Sequence, residues 1–249
     1  MEGDILPHIR IMVFPGAHNL PLWLMKGVEM YYTESRDQQI KEIQDHKVDV
    51  IHTSPDNLFL SDAKGLVPFL SGTVGPLEIV VTNAESSQVL AVDNPHSGFG
   101  RLAYRWLRQH HPEIDYDVLP VGGTRQRFEA LKQSTATMAV MHPPFTQFCV
   151  KAGYRILGRI DEGYPTLCGV CHEEQRGTDW VHTYQNQYAG ALRRLASLDG
   201  KVVARQVLAQ ELPDMPAEVR NDIAEVMRQE TIAAGVEFDF GTMNKLKGL

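Results

Sequence analysis

Twice along this chain, short apolar runs of strand length alternate with segments of helical periodicity, and that alternation leaves few folds open. "HIRIMVF" alternates apolar residues with His and Arg and stops at Pro15-Gly16, the pattern of a half-buried strand meeting a turn. "NLPLWLMKG" then reads as a short helix, "VEMYYTE" as a second strand, "SRDQQIKEIQDHK" as a helix opened by Ser35, and "VDVIHTS" as a third strand. Parallel strands need a crossover, usually a helix, so this order predicts a parallel sheet with covering helices.

"PLEIVVTN" reads as a crossing strand, and the pattern then restarts. "QVLAVDN", "YDVLPVGG", "ATMAVMH" and "YRILGRI" are read as strands, separated by helices over "SGFGRLAYRWLRQHH", "TRQRFEALKQS" and "PPFTQFCVKAG". "LCGVCHEE" reads as one more strand, followed by three helices. In the last of these Val219, Ile223, Val226 and Met227 recur at helical spacing, which predicts one buried face. The expected organisation is a two-lobed α/β chain: residues 1–85 begin lobe 1, 86–165 form lobe 2, and 166–249 return to lobe 1. Two such lobes imply a cleft between them.

Charge and cysteine usage narrow the function classes. A net charge of -7 with no basic run argues against nucleic acid, whose phosphates call for clustered Lys and Arg. The N-terminus lacks the basic, apolar and small-residue segments of a secretory signal, and no apolar run reaches membrane-spanning length. The expectation is a cytoplasmic protein without membrane insertion, periplasmic if the sequence is a trimmed one. Three cysteines, Cys149, Cys168 and Cys171, fit reduced thiols better than a disulfide framework. "CGVCH" matches the c-type haem attachment pattern, but it falls in an expected strand, so buried core cysteines are the default reading. No nucleophile elbow is present; no cofactor is expected, with Walker loop and dinucleotide fingerprint missing too, and no metal, since no HExxH pair or similar ligand spacing occurs.

The stretches "HNLPLWLMKG", "VDVIHTSPDN", "LAVDNPHSGFG", "YDVLPVGGTRQRFEAL" and "MAVMHPPFTQFCVKAGYRILG" follow one another in a familiar order. In that order the chain resembles the type II periplasmic-binding-protein fold, most closely the nitrate/sulfonate/taurine class of ABC-importer binding proteins and the related thiamine-pyrimidine-synthase-like family. The resemblance implies two lobes and a small-molecule ligand. It also exposes departures: a signal peptide, a longer first helix before "VEMYY" and a "DLKG"-like segment before "LAVD" are normal in that class and missing here. Binding-protein-like enzymes exist, among them the menaquinone-pathway enzymes and dihydroxyphthalate decarboxylases, so a shortened relative suggests chemistry by fold analogy alone.

Ligands of open α/β sheets sit beyond the carboxyl ends of the strands. That rule selects His18 and Asn19 after the first strand, His52, Thr53, Ser54 and Asp56 after the third, Asn83 at the crossing, His96, Ser97, Gly98 and Phe99, then Gly122, Gly123 and Arg125, then His142 and Tyr164. "NPHSG" and "VGGTR" open helices, whose positive dipole ends favour an anion. Arg125 is placed to clamp a carboxylate. The plain alternative is that Ser97 and Thr124 only cap their own helices. Histidine supplies a proton-exchanging group near neutral pH, and His52 and His142, with Asp56 as a carboxylate partner, are the expected catalytic set.

Two functions stay open on this reading, and a third, an intracellular sensor or regulatory domain, would need a partner surface that the sequence does not locate. One is a cytoplasmic lyase or isomerase, metal-independent, that acts by proton transfer on a small carboxylate-bearing substrate, aromatic ones included: decarboxylation, dehydration or isomerisation. The alternative is an ABC-importer-type solute-binding protein whose ligand, also anionic, leaves unchanged. No feature of the sequence identifies an oligomeric partner.

Overall fold

In chain order the first half runs β1 (Ile9–Val13), β2 (Val28–Tyr32), α1 (Arg36–Gln44), β3 (Val50–Thr53), α2 (Asn57–Leu60), β4 (Leu66–Ser71), β5 (Leu77–Val81) and β6 (Gln88–Val92). It continues with α3 (Gly98–His110), β7 (Tyr116–Pro120), α4 (Thr124–Lys132), β8 (Met138–Met141), α5 (Phe145–Lys151) and β9 (Arg155–Ile160). β10 (Cys168–His172) and the helices α6 (Asp179–Ala196), α7 (Gly200–Glu211) and α8 (Ala217–Ala233) complete it. This computed structural model describes residues 8–33, 35–60, 63–72, 77–83, 88–160, 167–233, 236 and 238.

The chain divides into two units, Met1–Val74 with Pro165–Met243 and Gly75–Tyr164 with Asn244–Leu249. Unit 1 holds a five-stranded sheet of order β2-β1-β3-β10-β4, and unit 2 one of order β7-β6-β8-β5-β9. Three neighbouring strands in each are parallel, as expected, but the fourth is not. β10 lies antiparallel between β3 and β4, and β5 antiparallel between β8 and β9. The sheets are therefore mixed rather than parallel. Each reversed strand follows in sequence a strand of the other sheet, so no helical crossover precedes it and nothing in local periodicity reveals its direction. β5 also moves the first boundary: a lobe of 1–85 would leave this strand in unit 1, yet its backbone is bonded to β8 and β9.

Local chemistry accounts for the helix starts. Ser35 accepts a bond from the Gln38 amide and opens α1, and Ser97 accepts one from the Gly100 amide and opens α3. "NLPLWLMKG" forms two single 3-10 turns, Ala17–Asn19 and Leu22–Leu24, in place of the expected helix. β4 is a strand that periodicity misses, because Pro68 interrupts its run; an edge strand tolerates that residue.

Burial gives each unit its own core. In unit 1, Ile11, Val13, Val50 and Leu70 of the sheet pack against Val181, Tyr184, Tyr188 and Leu192 of α6, which share one helical face. In unit 2, Val80, Ala91, Ala139 and Met141 pack with Ala130, Leu131 and Cys149. On α8, Val219, Ile223 and Met227 are buried as their spacing predicts, but Val226 is only half-buried. The three cysteines are buried free thiols. Burial pushes the Cys149 and Cys171 thiols up to about 12, and Cys168 higher still, so "CGVCH" is a core strand of inert thiols.

The corner between α6 and α7 depends on Gly200. A Cβ there would lie 1.8 Å from the Leu195 carbonyl oxygen, a backbone atom that cannot rotate aside. Gly200→Ala is expected to cost about 2 kcal/mol by forced displacement of the helix ends, and to lower Tm by about 5 °C in a thermal melt. An unchanged Tm would mean that the corner is looser than this contact implies.

Candidate functional site

In unit 2 the parallel strands β6, β7 and β8 end side by side and lead into α3, α4 and α5, so the helix N-termini gather at one end of the sheet. A continuous network joins them. The Ser97 hydroxyl donates to Asp93 Oδ1 at 2.6 Å while accepting from the Gly100 amide at 3.0 Å. Arg127 Nη2 donates to Thr124 Oγ1 at 2.7 Å, and its Nη1 stands 3.6 Å from Asp93 Oδ1. Thr124 Oγ1 is 2.7 Å from His142 Nε2, and His142 Nδ1 donates to the Pro143 carbonyl at 3.0 Å. Because a carbonyl only accepts, Nδ1 carries a proton; in the neutral ring Thr124 then donates to Nε2 and accepts from Arg127. The Phe99 ring meets His142 edge-on, with centroids 6.4 Å apart.

Arg127 is the unusual member. Its side chain is 2% exposed, and its Nε and Nη1 have no hydrogen-bond partner among the described residues. Desolvation lowers the guanidinium pKa and Asp93 partly restores it. A buried guanidinium with most of its donors unmet is costly, and such a group calls for an acceptor to complete it.

The sequence pattern points to the neighbouring arginine instead. Arg125 is exposed on α4, whereas Arg127 shares the buried face of Thr124, Ala130 and Leu131. An arginine on an otherwise buried helical face is the signal that was available. Thr124 is not the cap of α4 either: Gly123 takes that position, with no side-chain cap bond, and Gly122 makes the preceding turn at φ 92°. Ser97 is a cap and, through Asp93, a member of the network as well. Gly98 is the first residue of α3, and His96 is exposed, its amide bonded to Asn94.

Asn83 falls at the wrong end. Because β5 runs against β8, with Val81 opposite Met138, its carboxyl end lies where the parallel strands begin. Asn83 is exposed there and donates to the Gly153 carbonyl at 3.4 Å. A cavity of about 320 Å³, lined by Thr82, Gln88, Glu113, Asp115 and Arg155 among others, also opens at that end, away from the helix N-termini. Tyr164 lies outside the described residues.

In unit 1 the candidates after β1 and β3 turn inward. His18 Nε2 and Asn19 Nδ2 both donate to the Phe14 carbonyl, at 3.0 and 2.8 Å. Thr53 Oγ1 accepts from Asn57 Nδ2 at 2.8 Å, and the Ser54 hydroxyl donates to Asp56. His52 is 3% exposed, with Nε2 hydrogen-bonded to the Tyr184 hydroxyl at 2.8 Å. Burial lowers His52 to about 3 and His18 to about 4, so both rings are neutral at pH 7. Gly169, paired with His52 across β10 and β3, leaves room for that ring: a Cβ there would sit 3.3 Å from Nε2. Tyr184, which holds His52, was not among the sequence candidates; it reads as one apolar position of α6, and only packing shows where its hydroxyl goes.

Among the described residues no group of three His, Cys, Asp or Glu is placed to hold a metal ion, and no helix is long and apolar enough to cross a membrane.

The arrangement of strands agrees with that of known binding proteins. The ligand-binding component of an ABC-type import system from Staphylococcus aureus, a structure with zinc bound, superposes with a TM-score of 0.75 at 12% identity, covering 96% of this chain and 89% of that one. The periplasmic aliphatic sulphonate binding protein SsuA from Escherichia coli gives 0.72 at 13% identity, over 97% and 85% of the two chains. The periplasmic nitrate-binding protein NrtA from Synechocystis gives 0.71 at 12%, over 89% and 70%. The fold is thus periplasmic-binding-protein-like, α/β in both units. No family model and no curated protein sequence matches the chain.

Proposed function

We propose that this protein binds a small anionic solute and releases it unchanged, in the manner of the importer components whose fold it shares. The observation that carries this reading is the end of unit 2 where the first residues of α3 and α4 are linked, through Ser97, Asp93 and Thr124, to a buried, under-bonded Arg127. Positive dipole ends and a guanidinium short of acceptors suit an oxyanion group. The three structural neighbours support binding without chemistry; two of them are named for sulphonate and nitrate, both anions.

Proton-transfer chemistry finds no such support. His52 is buried and bonded to Tyr184, and both ring nitrogens of His142 are occupied by the protein's own groups. A lyase or isomerase would need one of them to face a substrate at neutral pH.

Calorimetric titration with methanesulfonate, nitrate and a panel of small carboxylates tests the reading, with uncharged dimethyl sulfone as the control. At least one anion is expected to bind, to raise Tm, and to be recovered intact by proton NMR, while the sulfone does neither. Binding of the sulfone alone, or steady conversion of a carboxylate, would overturn it. Cell fractionation then decides where the protein acts: outside the cytoplasmic membrane for an importer, or in the cytoplasm for an intracellular sensor with the same site.

A further inference from the structure

The charges gathered at this end of unit 2 can be counted. The N-termini of α3 and α4, tied to Arg127 through Ser97, Asp93 and Thr124, contribute about half a positive charge each, and Arg127 with Asp93 contributes none on balance; Arg125, in the first turn of α4, is exposed and its charge is screened by water. Asp93 is 32% exposed and Arg127 2%, so of the two charges the carboxylate is the one open to solvent.

We infer that Asp93 is the specificity-determining residue of this site, limiting its ligand to a single negative charge by opposing the buried Arg127. This rests on the anion-binding reading above and deepens it. A second ligand charge doubles attraction and repulsion alike, but the cost of leaving water grows with the square of the charge; with Asp93 cancelling Arg127, the two helix ends alone do not offset that cost for a doubly charged anion. Ser97 holds the carboxylate in place through its 2.6 Å bond, and Thr124 holds the guanidinium through Nη2. The unbonded Nε and Nη1 of Arg127 are a second, independent sign that this side of the guanidinium is arranged for an oxygen acceptor.

The test compares methanesulfonate with sulfate, one charge against two on similar oxygens, by calorimetric titration at low salt. The wild type is expected to prefer methanesulfonate by about tenfold, the size of effect that one nearby charge exerts across a partly wet site. Asp93→Asn keeps an acceptor for Ser97 while removing the charge, and should bring the ratio to one or invert it. Arg127→Gln leaves Asp93 unopposed, so sulfate should be lost first and the ratio should rise. A role for Asp93 in folding alone would weaken both anions alike, so the ratio is the informative quantity, and the two variants move it in opposite directions even if one folds poorly. An unchanged ratio in the variant that folds would overturn the inference and leave anion binding standing. If the wild type binds no anion at all, the anion-binding reading fails, and this inference with it.

Discussion

Bringing the protein from pH 7 to pH 5 is expected to remove about 2 kcal/mol of stability through His52 alone. Burial holds the folded-state value near 3, against 6.5 for an exposed imidazole. The sign follows directly: below pH 6.5 the unfolded chain takes up a proton that the folded chain refuses. Stability is therefore whole above pH 6.5 and drains away as pH falls toward 3, where the loss levels off near 5 kcal/mol. His18, pushed to about 4, adds to the loss in the same direction, though its ring is less completely enclosed. Arg228 holds Glu225 near 2, and Asp49 is held low by Arg10, so their stabilisation goes only below about pH 4.5. Urea unfolding at the two pH values measures the loss, and His52→Asn, which cannot titrate, should flatten the difference. A wild type equally stable at pH 5 and pH 7 would show that the ring is not held neutral.

Tyr184→Ala should cost about 4 kcal/mol, the range for emptying a fully buried aromatic site. The ring stacks edge-on against Phe69 at 5.5 Å, inside the cluster that joins α6 to the sheet of unit 1. Tyr184→Phe separates packing from polarity. It keeps the ring but leaves His52 Nε2 without its partner, a loss of about 1–2 kcal/mol. A double-mutant cycle with His52→Asn should recover most of that smaller loss as coupling between the two. Additive losses would mean that the 2.8 Å bond contributes little and that packing alone places His52.

Much of this fold is legible along the chain. The strands of the two parallel sets, the Ser35 and Ser97 caps and the three C-terminal helices all rest on information local to a few residues: periodicity, a hydroxyl before a helix, an apolar stripe. The candidate site was legible in part for the same reason. Ser97 and His142 follow strands whose direction the pattern predicts, and both enter the network of unit 2. Asn83 was misplaced because strand direction is a property of pairing, and β5 has the same periodicity whichever way it runs. Arg125 was preferred to Arg127 because side-chain burial on α4 depends on what the helix packs against, two residues apart but on different faces.

The sequence by itself determined that the chain is α/β and where most of its strands and helices lie, β4 and the two 3-10 turns excepted. Tertiary structure decided the rest: that β5 and β10 enter their sheets reversed, that His52 is spent on Tyr184, and that Arg127 is buried beside Asp93 with donors to spare. The division has a physical cause. Secondary structure and helix capping arise from interactions a few residues apart, while pairing direction, burial and charge balance arise between groups that only folding brings together, such as His52 and Tyr184, 132 positions apart in the chain.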